Sequence, residues 1–287
     1  MKKRKVVKKP AKQKQKSHFL LFLLAFLLVI VGGGGIGTAY IFDQSKNAFN
    51  SSTNVKICDF SGTDWTGYIA GVVELKILTE PSGGKAGTTT LVGNTNYEAK
   101  NLVIPDFVRD DRGRLYSIVE IGSEAFIDNN GLVGDLTISA NVHTISEAAF
   151  KNCAYLNGQL IIKDGVKIIE KAAFFFTGFS GLLTIPSSIT KIGKTAFAGE
   201  FFNITKIQFM AGCSNIFGLF DTDFNYLDTL IFNGYNSIPN WGDQKTDVFV
   251  NLLPRIGTVK SINGKLTSLE ALAFCRANGL TDWIVAS

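Results

Sequence analysis

Phenylalanine returns in this chain at a nearly fixed interval: Phe126, Phe150, Phe174 and Phe197 are separated by 24, 24 and 23 residues. Each closes a related phrase, IGSEAF at 121–126, ISEAAF at 145–150, IEKAAF at 169–174 and IGKTAF at 192–197. A second apolar series is interleaved with the first. Ile138, Ile162, Ile185 and Phe209 are spaced 24, 23 and 24 apart, inside LTIS at 136–139, LIIK at 160–163, LTIP at 183–186 and IQFM at 207–210. Two series locked to one period leave little choice of architecture. No single unit can bury its apolar face alone, so successive units must stack as coils and share one core.

The local physics of a unit follows from side-chain alternation. In Leu136-Thr137-Ile138 the first and third side chains share a face, so Leu136 and Ile138 point inward and Thr137 outward. Val142 and Ile145 bring the chain back over the core, and Leu156 begins the approach to the next strand. Ser146 to Phe150 suggests a short capped helical turn that plugs the core with Phe150. Cys153 fits a small buried position in the repeat. The expected fold is therefore a repeat solenoid of leucine-rich-repeat type, with short strands, loops and short helical turns, preceded by one N-terminal transmembrane helix.

An I-x-I-P strand followed by I-G-x-x-A-F at this period resembles the BspA-like class of leucine-rich repeats, most closely in LTIPSSITKIGKTAF at 183–197. Residues 102–126 resemble the enlarged first repeat of such proteins. There Asp110-Asp111-Arg112-Gly113-Arg114 form a hairpin tip and Leu115–Val119 its return strand. Leu269–Ile284 is similar to the segment that follows the last coil in that family. The chain departs from the pattern in two ways. Proline follows the strand only at Pro105 and Pro186, and 210–235 is degenerate, which leaves open whether four or five coils form.

The N-terminal region carries a different signal. Residues 1–16 hold nine Lys or Arg and no acid, and no charged residue occurs from Ser17 to Phe42. Phe19–Phe42 is long enough to cross the roughly 30 Å hydrocarbon layer as a helix. Nine cations before it place the tail in the cytoplasm and residues 43–287 outside. A cleavable signal peptide, cut after Ala39 in Gly37-Thr38-Ala39, is the rival reading, with secretion as its consequence. The expected order is a basic cytoplasmic tail at 1–17, a signal-anchor helix at 18–42, a linker at 43–57, an N-terminal β cap at 58–101, BspA-like repeats at 102–232 and a C-terminal cap at 233–287. Thr267 and Glu270 have capping-box spacing at the start of a helix near 269–276.

Without the tail, 29 minus 9, or 20, basic residues face 24 acidic ones, so the basic character belongs to the tail and no nucleic-acid footprint remains. Gly32, Gly34 and Gly37 match a dinucleotide fingerprint only formally, since no βαβ unit surrounds them. The Gly33–Gly37 spacing suits close packing of two membrane helices or a glycine-rich helix end. Cys58, Cys153, Cys213 and Cys275 form no CxxC pair. His143 sits in a repeat loop where the other coils have Lys167 and Thr190. Asp110 with Asp111 suits a solvated hairpin tip. Asp221 and Asp223 alternate like the start of a calcium loop but lack its glycine and terminal glutamate.

No catalytic, cofactor or metal site is expected. The candidate ligand-binding surface is the outward strand row, Thr137, Ile161, Thr184 and Gln208, with Lys163, Ser139, Pro186 and Met210 at strand ends. The resemblance implies a non-enzymatic surface protein that binds an extracellular protein or cell-surface ligand, as in adhesion. The alternative is a structural envelope protein that self-associates without a host ligand.

Overall fold

The structure, a computed structural model, describes residues 55–58, 73–93, 98–109, 113–199, 203–221, 224–241, 249 and 256–286. Met1–Phe49 and Asn50–Ser287 are separate units, and all described residues belong to the second. The basic tail, the 18–42 span, Trp65–Ala70, Asp110–Arg112 and Asp223 lie outside the described residues. Among the described residues no helix is long and apolar enough to cross a membrane.

The strands are β1 (Val55–Cys58), β2 (Val73–Thr79), β3 (Gly87–Gly93), β4 (Ala99–Ile104), β5 (Phe107–Arg109), β6 (Leu115–Ile121), β7 (Leu132–Ile138), β8 (Thr144–Ile145), β9 (Leu160–Ile162), β10 (Ile168–Ile169), β11 (Ser180–Ile185), β12 (Lys191–Ile192), β13 (Asn203–Met210), β14 (Thr229–Asn233), β15 (Thr258–Ile262) and β16 (Ile284–Val285). Among the described residues the α-helix is α1 (Ser268–Ala277), near the C-terminus. The strands assemble as a solenoid. One side carries two parallel sheets, β4-β7-β9 and β11-β13-β14-β15-β16. They adjoin where the Ser180 N–H donates to the Gly158 carbonyl at 2.9 Å. The other side carries β1-β2-β3-β6-β8-β10-β12, with β5 antiparallel against β6.

The period of the sequence is the period of the strand register. Leu136 pairs with Leu160 and Ile138 with Ile162, while Leu183 pairs with Ile207 and Ile185 with Phe209. All eight of these side chains are buried, with Thr137, Thr184 and Gln208 half-buried between them. The degenerate stretch 210–235 is a genuine coil: β14 pairs with β13 in parallel, Ile231 opposite Gln208. Cys213, Ile216, Leu219, Phe220, Phe224 and Leu227 fill its interior. The hairpin is also present, with Phe107 opposite Ser117 and Arg109 opposite Leu115.

The corner between the two sides differs from expectation. Ser146–Phe150 is not a capped helical turn. Ala148 takes a left-handed φ of 56°, as do Glu124, Ala172 and Thr195 at the same position of the other coils. Asp128, Asn152 and Phe176, four residues further on, are left-handed too, at 58°, 63° and 55°. With left-handed residues at both ends of the corner, every second amide points out of the coil. Ala148, Phe150 and Asn152 therefore donate to the carbonyls of Lys171, Ala173 and Phe175 in the following coil, at 3.1, 2.8 and 2.8 Å. The amides between them close turns inside their own coil, such as Lys151 to the Ala148 carbonyl at 3.1 Å. A helix would keep all these bonds within one coil and leave the corner without cross-links. Placing a non-glycine residue at left-handed φ costs roughly 1–2 kcal/mol. The buried, hydrogen-bonded ladder offsets that cost.

Beneath the corner the phenylalanines stack. Ring centroids are 5.0 Å apart for Phe126–Phe150, 5.5 Å for Phe150–Phe174 and 5.3 Å for Phe174–Phe197, with interplanar angles of 11°, 10° and 22°. Side chains also tie coil to coil at the strand ends. Asp106 accepts the Asn141 N–H at 3.0 Å, and Asp164 accepts the Ser188 N–H at 3.0 Å and the Ser187 hydroxyl at 2.8 Å. Gly165 is required where two coils approach, since its φ is 129° and a Cβ there would clash with the Ala140 carbonyl.

Candidate functional site

The outward strand row is a physical surface. Val103, Thr137 and Ile161 lie in register on β4, β7 and β9, and Thr184, Gln208, Ile231 and Lys260 on β11, β13, β14 and β15. The register therefore brings Thr137 beside Ile161, and Thr184 beside Gln208. A neighbouring row runs Leu182, Lys206, Thr229, Thr258 and Ile284. Successive coils are about 4.8 Å apart along these rows. Ile161 and Leu182 are exposed, as are Lys163, Lys206 and Lys260.

Two of the strand-end residues do not belong to this surface. Ser139 and Pro186 are buried, because the chain has already begun to turn inward after Ile138 and Ile185. Met210 stays half-buried and receives the Gln208 side-chain amide at its sulfur, 3.4 Å away. Ile231 and Lys260 extend the row past Gln208 and were hidden in the sequence. The spacing from Ile231 to Lys260 is 29 residues, outside the repeat period.

The chemistry available elsewhere is limited by burial. Cys153, Cys213 and Cys275 are free thiols, all buried. Burial pushes the Cys153 thiol up to about 12, and its sulfur donates to the Phe126 carbonyl at 2.9 Å. Burial likewise raises Cys275 and Cys213. A thiol held in its neutral form is a poor nucleophile and metal ligand. His143 is exposed, like Lys167 and Thr190 in the next coils. Among the described residues no group of three or more His, Cys, Asp or Glu is placed to hold a metal. A surface depression between the β2–β3 and β5–β6 turns is lined by Lys85, Arg109 and Leu115 among others. Its Arg109 guanidinium donates to the Gly113 carbonyl at 2.9 Å.

Away from the strand row, Lys191 meets Glu170 at 2.9 Å, Lys171 meets Glu147 at 3.4 Å and Arg114 meets Glu80 at 2.7 Å. The first two are contacts between coils. On the strand row, Lys163, Lys206 and Lys260 form no ion pair among the described residues.

A stack of parallel strands, one per coil, with a ring ladder at the opposite corner defines a leucine-rich-repeat solenoid. Residues 116–240 match the family model of the BspA type leucine rich repeat region in six copies, and this part of the chain is a BspA-type leucine-rich-repeat region. Solved structures similar to the chain include a leucine-rich repeat protein from Bacteroides capillosus, 24% identical over 42% of this chain and 84% of that one, with a TM-score of 0.33. The pneumococcal vaccine antigen PcpA is 17% identical over 67% of this chain and 49% of that one, with a TM-score of 0.37. A leucine rich cell surface protein from Faecalibacterium prausnitzii is 16% identical over 70% of this chain and 55% of that one, with a TM-score of 0.32. No curated protein matches the chain.

Proposed function

We propose that this chain is a non-enzymatic surface protein, anchored through 18–42 and displaying its leucine-rich repeats outside the cell, where the strand face binds a protein or cell-surface ligand. The observation that carries the reading is the pair of outward rows, Val103 to Ile161 in one sheet and Thr184 to Lys260 in the next, a regular surface of the kind on which solenoids bind extended partners. The charge-free run from Ser17 to Phe42 behind nine cations supports export and the orientation.

The test is binding of the purified full chain to a panel of extracellular matrix proteins and intact cells. Thr137→Arg, on the central strand of one sheet, and Thr184→Arg, on the first strand of the other, are expected to abolish binding without changing the melting temperature. Absence of binding across the panel, together with cross-linked multimers in native membranes, would favour self-association instead. Protease shaving of intact cells checks the orientation: removal of the repeats from outside is expected, and full protection would refute it.

A further inference from the structure

We infer that the strand face bends at one seam, between β9 and β11, so that its two outward rows change their angle to each other while the other sides of the coils act as a spine. This goes beyond the proposed role of the face and needs no ligand.

The seam starts from a missing donor. Lys163 directly follows β9, and its N–H donates to the Ile138 carbonyl at 3.0 Å, which helps join β9 to β7. One period later the residue that follows β11 is Pro186, which has no N–H to give to the Ile162 carbonyl. The strand pairing changes at the same place. β7 and β9 pair from Leu136–Leu160 to Ile138–Ile162, and β11 and β13 pair from Ser180–Asn203 to Ile185–Phe209. β9 and β11 do not pair and belong to different sheets. The other proline at this position of the repeat, Pro105, follows β4, the end strand of its sheet. There the missing N–H interrupts no ladder among the described residues.

The remaining sides of the same two coils stay joined. At the corner Ala172, Phe174 and Phe176 donate to the carbonyls of Lys194, Ala196 and Ala198 at 3.1, 2.7 and 2.8 Å. On the opposite side β10 pairs with β12 in parallel. Single ties flank the unpaired strands, Ser180 N–H to the Gly158 carbonyl at 2.9 Å and Ser188 N–H to Asp164 at 3.0 Å. Ladders that continue on two sides and lapse on the third make a hinge, because the strands can part without breaking the rest of the coil.

Two further features fall on the seam. Phe174 and Phe197, the rings of the two coils that meet there, are inclined at 22°, against 11° and 10° for the pairs before them. Gly181, near the start of β11, has a left-handed φ of 81° beside a register shift in the β11–β13 ladder, so the backbone there can absorb a change of angle. Exposed Ile161 and Leu182 sit on the two flanking strands, and bending sets how far apart these apolar side chains stand.

The test is spin labelling of the full chain in detergent micelles. Cys58→Ser provides the background, since Cys153, Cys213 and Cys275 are buried. One labelled pair, Thr137→Cys with Gln208→Cys, spans three coil steps across the seam. The other, Thr184→Cys with Lys260→Cys, spans three steps within one sheet. Both separations are about 14 Å before the label arms are added. Dipolar spectroscopy is expected to give a distance distribution roughly twice as broad across the seam as within the sheet. Pro186→Ala, which returns the donor, is expected to narrow the first distribution to the width of the second. Lys163→Pro, which removes the donor between β9 and β7, is expected to broaden the first further and leave the second unchanged. Equal widths in the parent would overturn the seam. So would a cross-seam width that responds to neither substitution.

Discussion

The two halves of the solenoid fill their cores with aromatic rings in opposite ways. Between Phe126 and Phe197 one ring per coil lies nearly parallel to the next, 5.0 to 5.5 Å apart. Towards the C-terminus Trp241 sits in a cluster instead. It is stacked on Phe232 at an interplanar angle of 9°, tilted at 51° to Phe209, and edge-on to Phe249 and Phe274 at 77° and 87°. Coils related by translation must place the same side chain in the same orientation, so offset stacking is the geometry open to them. Beside the C-terminal helix, which does not repeat the coil, the core is closed from several directions, and edge-to-face packing of Phe249 and Phe274 around one indole does so. Regularity and closure therefore demand different sequences, and only the first leaves a periodic trace.

The largest effects should expose this contrast directly. Phe150→Ala removes a ring with a neighbour on both sides and is expected to cost about 3–5 kcal/mol in urea unfolding of the full chain. A double-mutant cycle of Phe150 with Phe174 should show coupling of about 0.5–1.5 kcal/mol beyond simple additivity. Purely additive losses would mean that the stack acts only as filler. Next in size is Gly165→Ala, which places a Cβ against Ala140 at a φ no L-residue favours, for roughly 1–3 kcal/mol measured the same way. Its effect belongs to the regular half.

At the closing end the test is Thr267→Ala. Thr267 accepts the Glu270 N–H at 3.2 Å and Glu270 accepts the Thr267 N–H at 2.8 Å, so the capping box at the start of α1 is complete. Losing it should cost about 1 kcal/mol. The smallest effect is a pH dependence with one contribution from each half. The Ser187 hydroxyl and the Ser188 N–H hold Asp164 below its usual 3.8, and the Thr267 N–H and hydroxyl hold Glu270 below its usual 4.5. A carboxylate depressed in the folded state stabilises above its unfolded value and loses that contribution as pH falls through the folded one. Acid titration of the melting temperature should therefore drop less steeply below pH 3.8 in Asp164→Asn and below pH 4.5 in Glu270→Gln. Curves that superimpose on the parent would dismiss both contributions.

Much of the architecture was legible because the period is carried by residues whose burial has no substitute. The ring ladder, the inward Leu136 and Ile138, the 107–117 hairpin and the capping box all follow from local pattern. The corner was not legible. Ser-Glu-Ala-Ala has ordinary helix-forming character, and nothing in one copy says that its amides are needed by the next coil. Only the stack makes that demand. The coil at 210–235 was obscured because Phe220 and Phe224 fill the core without the repeat phrase. Part of the candidate site was legible through alternation, at Thr137, Ile161, Thr184 and Gln208. Ile231 keeps the period, 23 residues after Gln208, but its coil lacks the repeat phrase; Lys260 escaped because it follows 29 residues later, and Ser139 and Pro186 were misplaced because alternation ends where the strand does.

The amides of Ala148, Phe150 and Asn152, and of Ala172, Phe174 and Phe176 after them, point one way, from each coil to the one after it. A coil thus receives on one side the kind of bond it donates on the other, and Ala148 and Ala172 occupy interchangeable places. In genetic terms the unit is self-compatible. Duplication or loss of one coil by unequal recombination would join like to like, changing the reach of the strand face in steps of about 4.8 Å. Cuts out of phase would leave mismatched amides and break the ring column. Such a chain can vary its length among descendants while its core chemistry stays the same, and its two distinct ends are the parts least free to change.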